Sequence, residues 1–164
     1  MSFRLIVDAE KWFRHISGQP PFNTKFDVYY LCLLLGLAGR RTSESSTQQP
    51  KSNFVDNFVT DYKPFSLLIL GLLLRAEVVH YGYDLDEKME VMKVLKELAT
   101  PQGVSGEGVL KLNRYASGGF DILLDKFGKE PYSAEEFFTS YVDILQEVVA
   151  QEPAWYPIHP MRER

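Results

Sequence analysis

Along the chain, apolar residues fall into blocks with helical spacing, separated by short runs of proline, glycine and charge. The first block, about 8–16, carries Trp12, Phe13 and Ile16 on one edge. Gly18-Gln19-Pro20-Pro21 stops it, because glycine favours the exit conformation and proline lacks the amide donor. Ahead of it, 3–7 reads as a short strand or extended chain, with no convincing partner strand elsewhere. Thr24 opens the strongest block. Asp27 stands three residues after this capping threonine, and 28–38 is apolar on every side, the pattern of a helix surrounded by protein. Gly39 is its expected stop, with Arg40 and Arg41 near the negative end of the dipole.

Residues 42–53 (TSESSTQQPKSN) contain no apolar side chain. Burial cannot repay the ordering entropy of such a stretch, so a mobile surface loop is expected, either a tolerated insertion or a segment that orders on a partner. Phe54, Val55, Phe58 and Val59 recur at helical spacing and predict a short helix. Pro64 and Phe65 begin a second leucine-rich helix reaching His80. Gly36 and Gly71 lie in matching leucine-rich contexts. Since a glycine inside a helix costs about 1 kcal/mol relative to alanine, the two helices are expected to cross at these glycines.

A one-sided helix follows from Asp84 or Asp86 to Leu98, with Met89, Val91, Met92, Leu95 and Leu98 on its apolar stripe. Ser105 starts another through Val109, Leu112 and Tyr115; Gly118-Gly119 interrupts the pattern and 120–127 resumes it. The last helix opens with a capping box, Ser133 to Glu136, and continues through Phe137, Phe138, Tyr141, Val142, Ile144, Leu145 and Val148. Residues 151–164 hold Pro153, Pro157 and Pro160 and should be extended. Trp155, Tyr156 and Ile158 are costly to leave in water, so this tail is expected to dock on its own core or on another molecule. With no repeat and no linker, 1–164 reads as one all-α domain. It is a compact bundle of six or seven helices, with two central apolar helices and an extended Pro-rich C-terminal tail.

Charge narrows the functions. Lys and Arg total 18 against 22 Asp and Glu, and the pI is near 5.4. A domain that coats nucleic acid normally carries a basic excess. The balance is uneven, however: residues 1–41 hold six basic and three acidic side chains, leaving a local basic patch near Arg40 and Arg41. Cys32 is the single cysteine, so no internal disulfide can form, which fits a reducing cytosol. No signal-peptide core opens the chain, and the apolar stretches 28–38 and 67–74 fall short of the roughly 20 residues a membrane crossing needs. A cytoplasmic protein without membrane contact is expected.

Catalytic constellations are missing from the sequence. One cysteine and the separated His15, His80 and His159 cannot form a local structural zinc site. Glu77-Val78-Val79-His80 has dimetal-bundle spacing but no second copy, so His80 is read as a helix-end residue complementing the dipole. Gly103-Val104-Ser105-Gly106-Glu107 begins like a nucleophile elbow, yet Glu107 replaces the required last glycine and no strand precedes it; Ser105 is more simply a cap. There is no Walker-type loop. Cys32, inside an apolar helix, should have a raised pKa and be inert. No catalytic residue, cofactor site or metal site is therefore assigned.

The segment from Asn113 to Asp121 is the one local feature that looks specified. Two glycines between aromatics mean a kink, a close backbone approach, or a seat for a partner or phosphate using freed amides and Arg114. Residues 26–37 (FDVYYLCLLLGL), followed downstream by 112–120 (LNRYASGGF), resemble small helical accessory proteins. Those proteins are encoded beside bacterial DNA-modification and anti-phage operons, including phosphorothioation-type and chromosome-maintenance-ATPase-type systems. The resemblance implies a non-catalytic subunit that docks on a larger ATPase or nuclease. Arg114, Tyr115, Gly118, Gly119, Phe120, Trp155 and Tyr156 are the candidate partner contacts. The alternative is a helical DNA- or RNA-contacting module using Lys25, Arg40, Arg41, Lys51 and Arg114. A small-molecule or metal-dependent enzyme is the third reading.

Overall fold

A computed structural model describes residues 2–43 and 51–151, with the backbone alone for 51–54. Most of the expected loop, 44–50, and the tail 152–164 with Trp155 and Tyr156 lie outside the described residues. The chain is mostly helical. Its elements are β1 (Phe3–Ile6), α1 (Val7–Trp12), α2 (Lys25–Ala38), β2 (Lys51–Val55), a 3-10 helix (Thr60–Phe65), α3 (Ser66–His80), α4 (Lys88–Leu98), β3 (Ala99–Thr100), β4 (Gly103–Val104), α5 (Gly106–Phe127) and α6 (Ala134–Ala150).

Local signals set the helix starts. At α2 the capping box is formed, with the Thr24 backbone N–H donating to Asp27 Oδ2 at 2.7 Å. At α5 Ser105 Oγ accepts from the Gly108 N–H, and at α6 Ser133 Oγ accepts from the Glu136 N–H. Each satisfies an amide that the helix itself leaves unpaired.

The central pair is α2 against α5, which corrects the expected crossing of α2 with α3. Gly36 does mark a close helix approach, but its counterpart is Gly119 rather than Gly71. A Cβ on Gly36 would stand 1.9 Å from the Tyr115 carbonyl oxygen, whereas one on Gly71 would meet nothing within 4 Å. For the same reason Gly118-Gly119 does not interrupt its helix: α5 runs unbroken for 22 residues, and the glycines make room for neighbouring backbone. The end of α2 also differs in detail. Gly39 keeps right-handed geometry, and Arg40, with φ of 48°, is the left-handed residue. A Cβ on Gly39 would lie 2.8 Å from Ile122 Cδ1, the movable end of a side chain, so this position is tight but not closed by backbone as Gly36 is.

The N-terminal strand has a partner after all. β1 pairs antiparallel with β2, from Phe3 opposite Val55 to Ile6 opposite Lys51. This replaces the short helix expected from Phe54 onward. It also makes the last residues of the apolar-free stretch an edge strand, whose Lys-Ser-Asn text carries no strand signal. Phe3, Leu5 and Ile6 are buried, and the Phe3 ring meets those of Phe26, Tyr29 and Phe58.

α1 ends at Trp12, earlier than predicted, and a series of turns to Gly18 carries Phe13 and Ile16 inward. Trp12, Phe13, Phe22, Phe127 and Phe137 then build an aromatic cluster that seats α6. Tyr141 on α6 donates to the Leu31 carbonyl of α2 at 2.7 Å. On α4 the inward stripe is Val91, Val94, Leu95 and Leu98, and Met89 and Met92 face outward. Among the described residues, no helix is long and apolar enough to cross a membrane.

Candidate functional site

α3 is leucine-rich around its circumference but lies at the edge of the bundle, so part of it stays bare. Leu67 is 78% exposed and Leu68 53%, next to the exposed Phe65. A single exposed leucine is ordinary, but two in succession beside an exposed phenylalanine form a patch of the kind that partners cover. Farther along α3 the surface dips into a groove of about 260 Å³ between α2, α3 and α6. Leu34, Leu37, Leu72, Val79, Leu145 and Val149 form its apolar walls, with Arg40 and Arg75 also lining it.

On the inner side of α3 lies a buried polar cluster. Glu77 is 4% exposed and receives Lys111 Nζ at 2.6 Å on one carboxylate oxygen and the Tyr115 hydroxyl at 2.9 Å on the other. Lys111 also donates to the Tyr81 hydroxyl at 3.0 Å and pairs with Glu97 at 3.2 Å. Burial acts to lower the Lys111 pKa, but its bonds to Glu77, Tyr81 and Glu97 outweigh that and hold the ammonium above the ordinary lysine range. Burial, reinforced by the Glu77 charge and hydrogen bond, pushes the Tyr115 hydroxyl well up. At neutral pH Lys111 stays an ammonium and Tyr115 a phenol, so neither is a nucleophile or base, and the cluster joins α3 to α5. Sequence reasoning missed it. The available signal was a lone acid between Ala76 and Val78 and a lone lysine between Leu110 and Leu112.

The sequence-named residues are placed as follows. Tyr115, Gly118, Gly119 and Phe120 are buried along the α2–α5 seam, occupied with intramolecular packing, and Arg114 is half-buried. The continuous helix leaves no freed amides at the two glycines. Asn113 is the polar hub of this segment: its Oδ1 accepts from the Arg4 N–H at 3.0 Å and from the Tyr29 hydroxyl at 2.9 Å, and its Nδ2 donates to the Ser2 carbonyl.

The basic candidates fall into separate regions: Arg40 and Arg41 lie on the turn that packs against α5 near Arg114, whose carbonyl accepts from the Ser43 N–H at 3.2 Å, and Lys25 is at the opposite end of α2. Lys25 is the first of the 14 residues of α2 and Arg40 lies two past its last, roughly 20 Å apart at 1.5 Å per residue. Lys25 pairs with Glu10 at 3.0 Å and Arg41 with Asp125 at 2.6 Å, while the Lys51 side chain lies outside the described residues.

Cys32 is fully buried, and desolvation pushes its thiol pKa far up. Glu77 is engaged by Lys111 and Tyr115, and His80 sits exposed at the end of α3. Among the described residues no group of three or more His, Cys, Asp or Glu is placed to hold a metal ion. No family model, curated protein or solved structure matches this chain, so a functional reading rests on its own surfaces.

Proposed function

We propose that this chain is a non-catalytic accessory subunit of a multiprotein bacterial defence or DNA-processing complex, acting by contact with a larger ATPase or nuclease. The bare apolar end of α3, Phe65 with Leu67 and Leu68, is the observation that carries this reading. Such side chains gain most from being covered, at about 25 cal/mol per Å² removed from water. The pairing of Lys25 and Arg41 with nearby carboxylates lends less support to the nucleic-acid alternative.

The test is capture of proteins encoded by neighbouring genes on the tagged chain. A larger ATPase or nuclease should be retained, and Leu67→Glu with Leu68→Glu should cut retention at least tenfold at unchanged melting temperature. Retention of none of the neighbours would reject the reading.

A further inference from the structure

We propose that the groove between α2, α3 and α6 is the intramolecular dock for this chain's own segment 152–164, with Trp155, Tyr156 and Ile158 as the inserted side chains. Three observations converge on this. The first is continuity. Leu145 and Val149 of α6 form one wall of the groove, and α6 ends at Ala150, so the chain leaves the helix at the groove's edge.

The second is reach. The groove follows α3 from Leu72 to Val79 and α2 from Leu34 to Arg40, about 10 Å at 1.5 Å per residue. The four steps from Gln151 to Trp155 span up to roughly 13 Å in an extended chain. The segment is therefore long enough to lay its aromatic residues anywhere along the groove.

The third is chemistry. At about 260 Å³ the groove falls below the roughly 300–1,000 Å³ of small-molecule sites, and its walls are mostly aliphatic. It suits one or two large side chains better than a polar ligand. The segment supplies Trp155-Tyr156-Pro157-Ile158, an apolar run with two aromatic rings. Intramolecular attachment makes the effective concentration of the segment high without any further contact. This inference is independent of the accessory-subunit proposal, which concerns the other end of α3.

Tryptophan fluorescence tests it, because Trp12 and Trp155 are the two tryptophans and Trp12 is already buried. Subtracting the spectrum and acrylamide quenching of Trp155→Phe from those of the unaltered chain isolates Trp155. Docking predicts blue-shifted emission and quenching several-fold slower than free indole, unchanged on fifty-fold dilution. Leu72→Glu in the groove should restore fast quenching, and Met89→Glu, on the exposed side of α4, should not. Ile158→Glu, which alters only the segment, should also restore it and keeps the test valid if Leu72→Glu fails to fold. Fast quenching of Trp155 in the unaltered chain would overturn the proposal. So would protection lost on dilution, which would assign the groove to a second copy's segment, or equal quenching in Ile158→Glu and the unaltered chain.

Discussion

Gly36 of α2 and Gly119 of α5 pack backbone to backbone. A Cβ on Gly36 would lie 3.0 Å from the Gly119 nitrogen, and one on Gly119 would lie 2.7 Å from the Gly36 nitrogen and 1.7 Å from the Cys32 carbonyl oxygen. Neither helix can retreat freely. Tyr29 and Leu33 on α2 and Leu112 and Phe120 on α5 are buried in the same core.

Alanine at either glycine should therefore be among the most destabilising single changes in the protein. Overpacking of a tight core typically costs about 1–3 kcal/mol, and here the obstacle is backbone, which cannot rotate away. Gly71→Ala should do the opposite, gaining up to about 1 kcal/mol of helix propensity because its surroundings are open. Urea midpoints of the three variants check this. Equal effects at Gly71 and Gly119 would contradict the crossing.

Glu77→Gln should cost about 3 kcal/mol, the low end for breaking a buried ion pair, since Glu97 still faces Lys111. Lys111→Met should also destabilise, leaving Glu77 with the Tyr115 hydroxyl as its remaining described hydrogen-bond donor. Removing both charges together, as Glu77→Gln with Lys111→Met, should cost less than the two single changes summed. A double-mutant cycle on unfolding free energy measures that coupling, and additive costs would show that the pair is not coupled.

Stability should fall in alkali. Burial holds the Tyr29, Cys32, Tyr115 and Tyr141 protons to higher pH than in an unfolded chain, whose ordinary values are 10.0 for tyrosine and 9.0 for cysteine. Above those values the unfolded state binds fewer protons than the folded one, so unfolding becomes easier as pH rises. The slope reaches about 1.4 kcal/mol per pH unit for each group. Lys111 acts with the same sign: its raised folded pKa gives stability that is complete below the ordinary 10.5 and is lost above it. Urea midpoints across pH 8–11 should decline from about pH 9 onward, less steeply in Tyr141→Phe. A flat profile would contradict the burial of these groups.

Asn113→Leu should release β1. The substitution removes the acceptor for the Arg4 amide and the Tyr29 hydroxyl and the donor to the Ser2 carbonyl. A buried group left unsatisfied costs about 1–3 kcal/mol. Hydrogen exchange at the Arg4 amide should accelerate by at least tenfold while the middle of α5 stays protected. Unchanged exchange at Arg4 would show that the strand pairing alone holds β1.

The parts of this protein legible in its sequence are those decided within one helical turn. Thr24 with Asp27, Ser105 with Gly108, and Ser133 with Glu136 meet their partners three residues away, so their text is sufficient to place the starts of α2, α5 and α6. Cys32 was legible for a related reason, because an all-apolar surrounding helix dictates burial. Tertiary structure decided every pairing between distant segments. Gly36 advertises a close approach, but Gly71 and Gly119 advertise it equally well. Only the packing of the whole chain selects α5 and leaves α3 at the edge, exposing Leu67 and Leu68. The strand at Lys51–Val55 forms because β1 presents open backbone groups to it, in spite of its composition. Glu77 and Lys111 meet across 34 positions for a similar reason: a buried charge must find its opposite, and the fold alone determines which one is within reach.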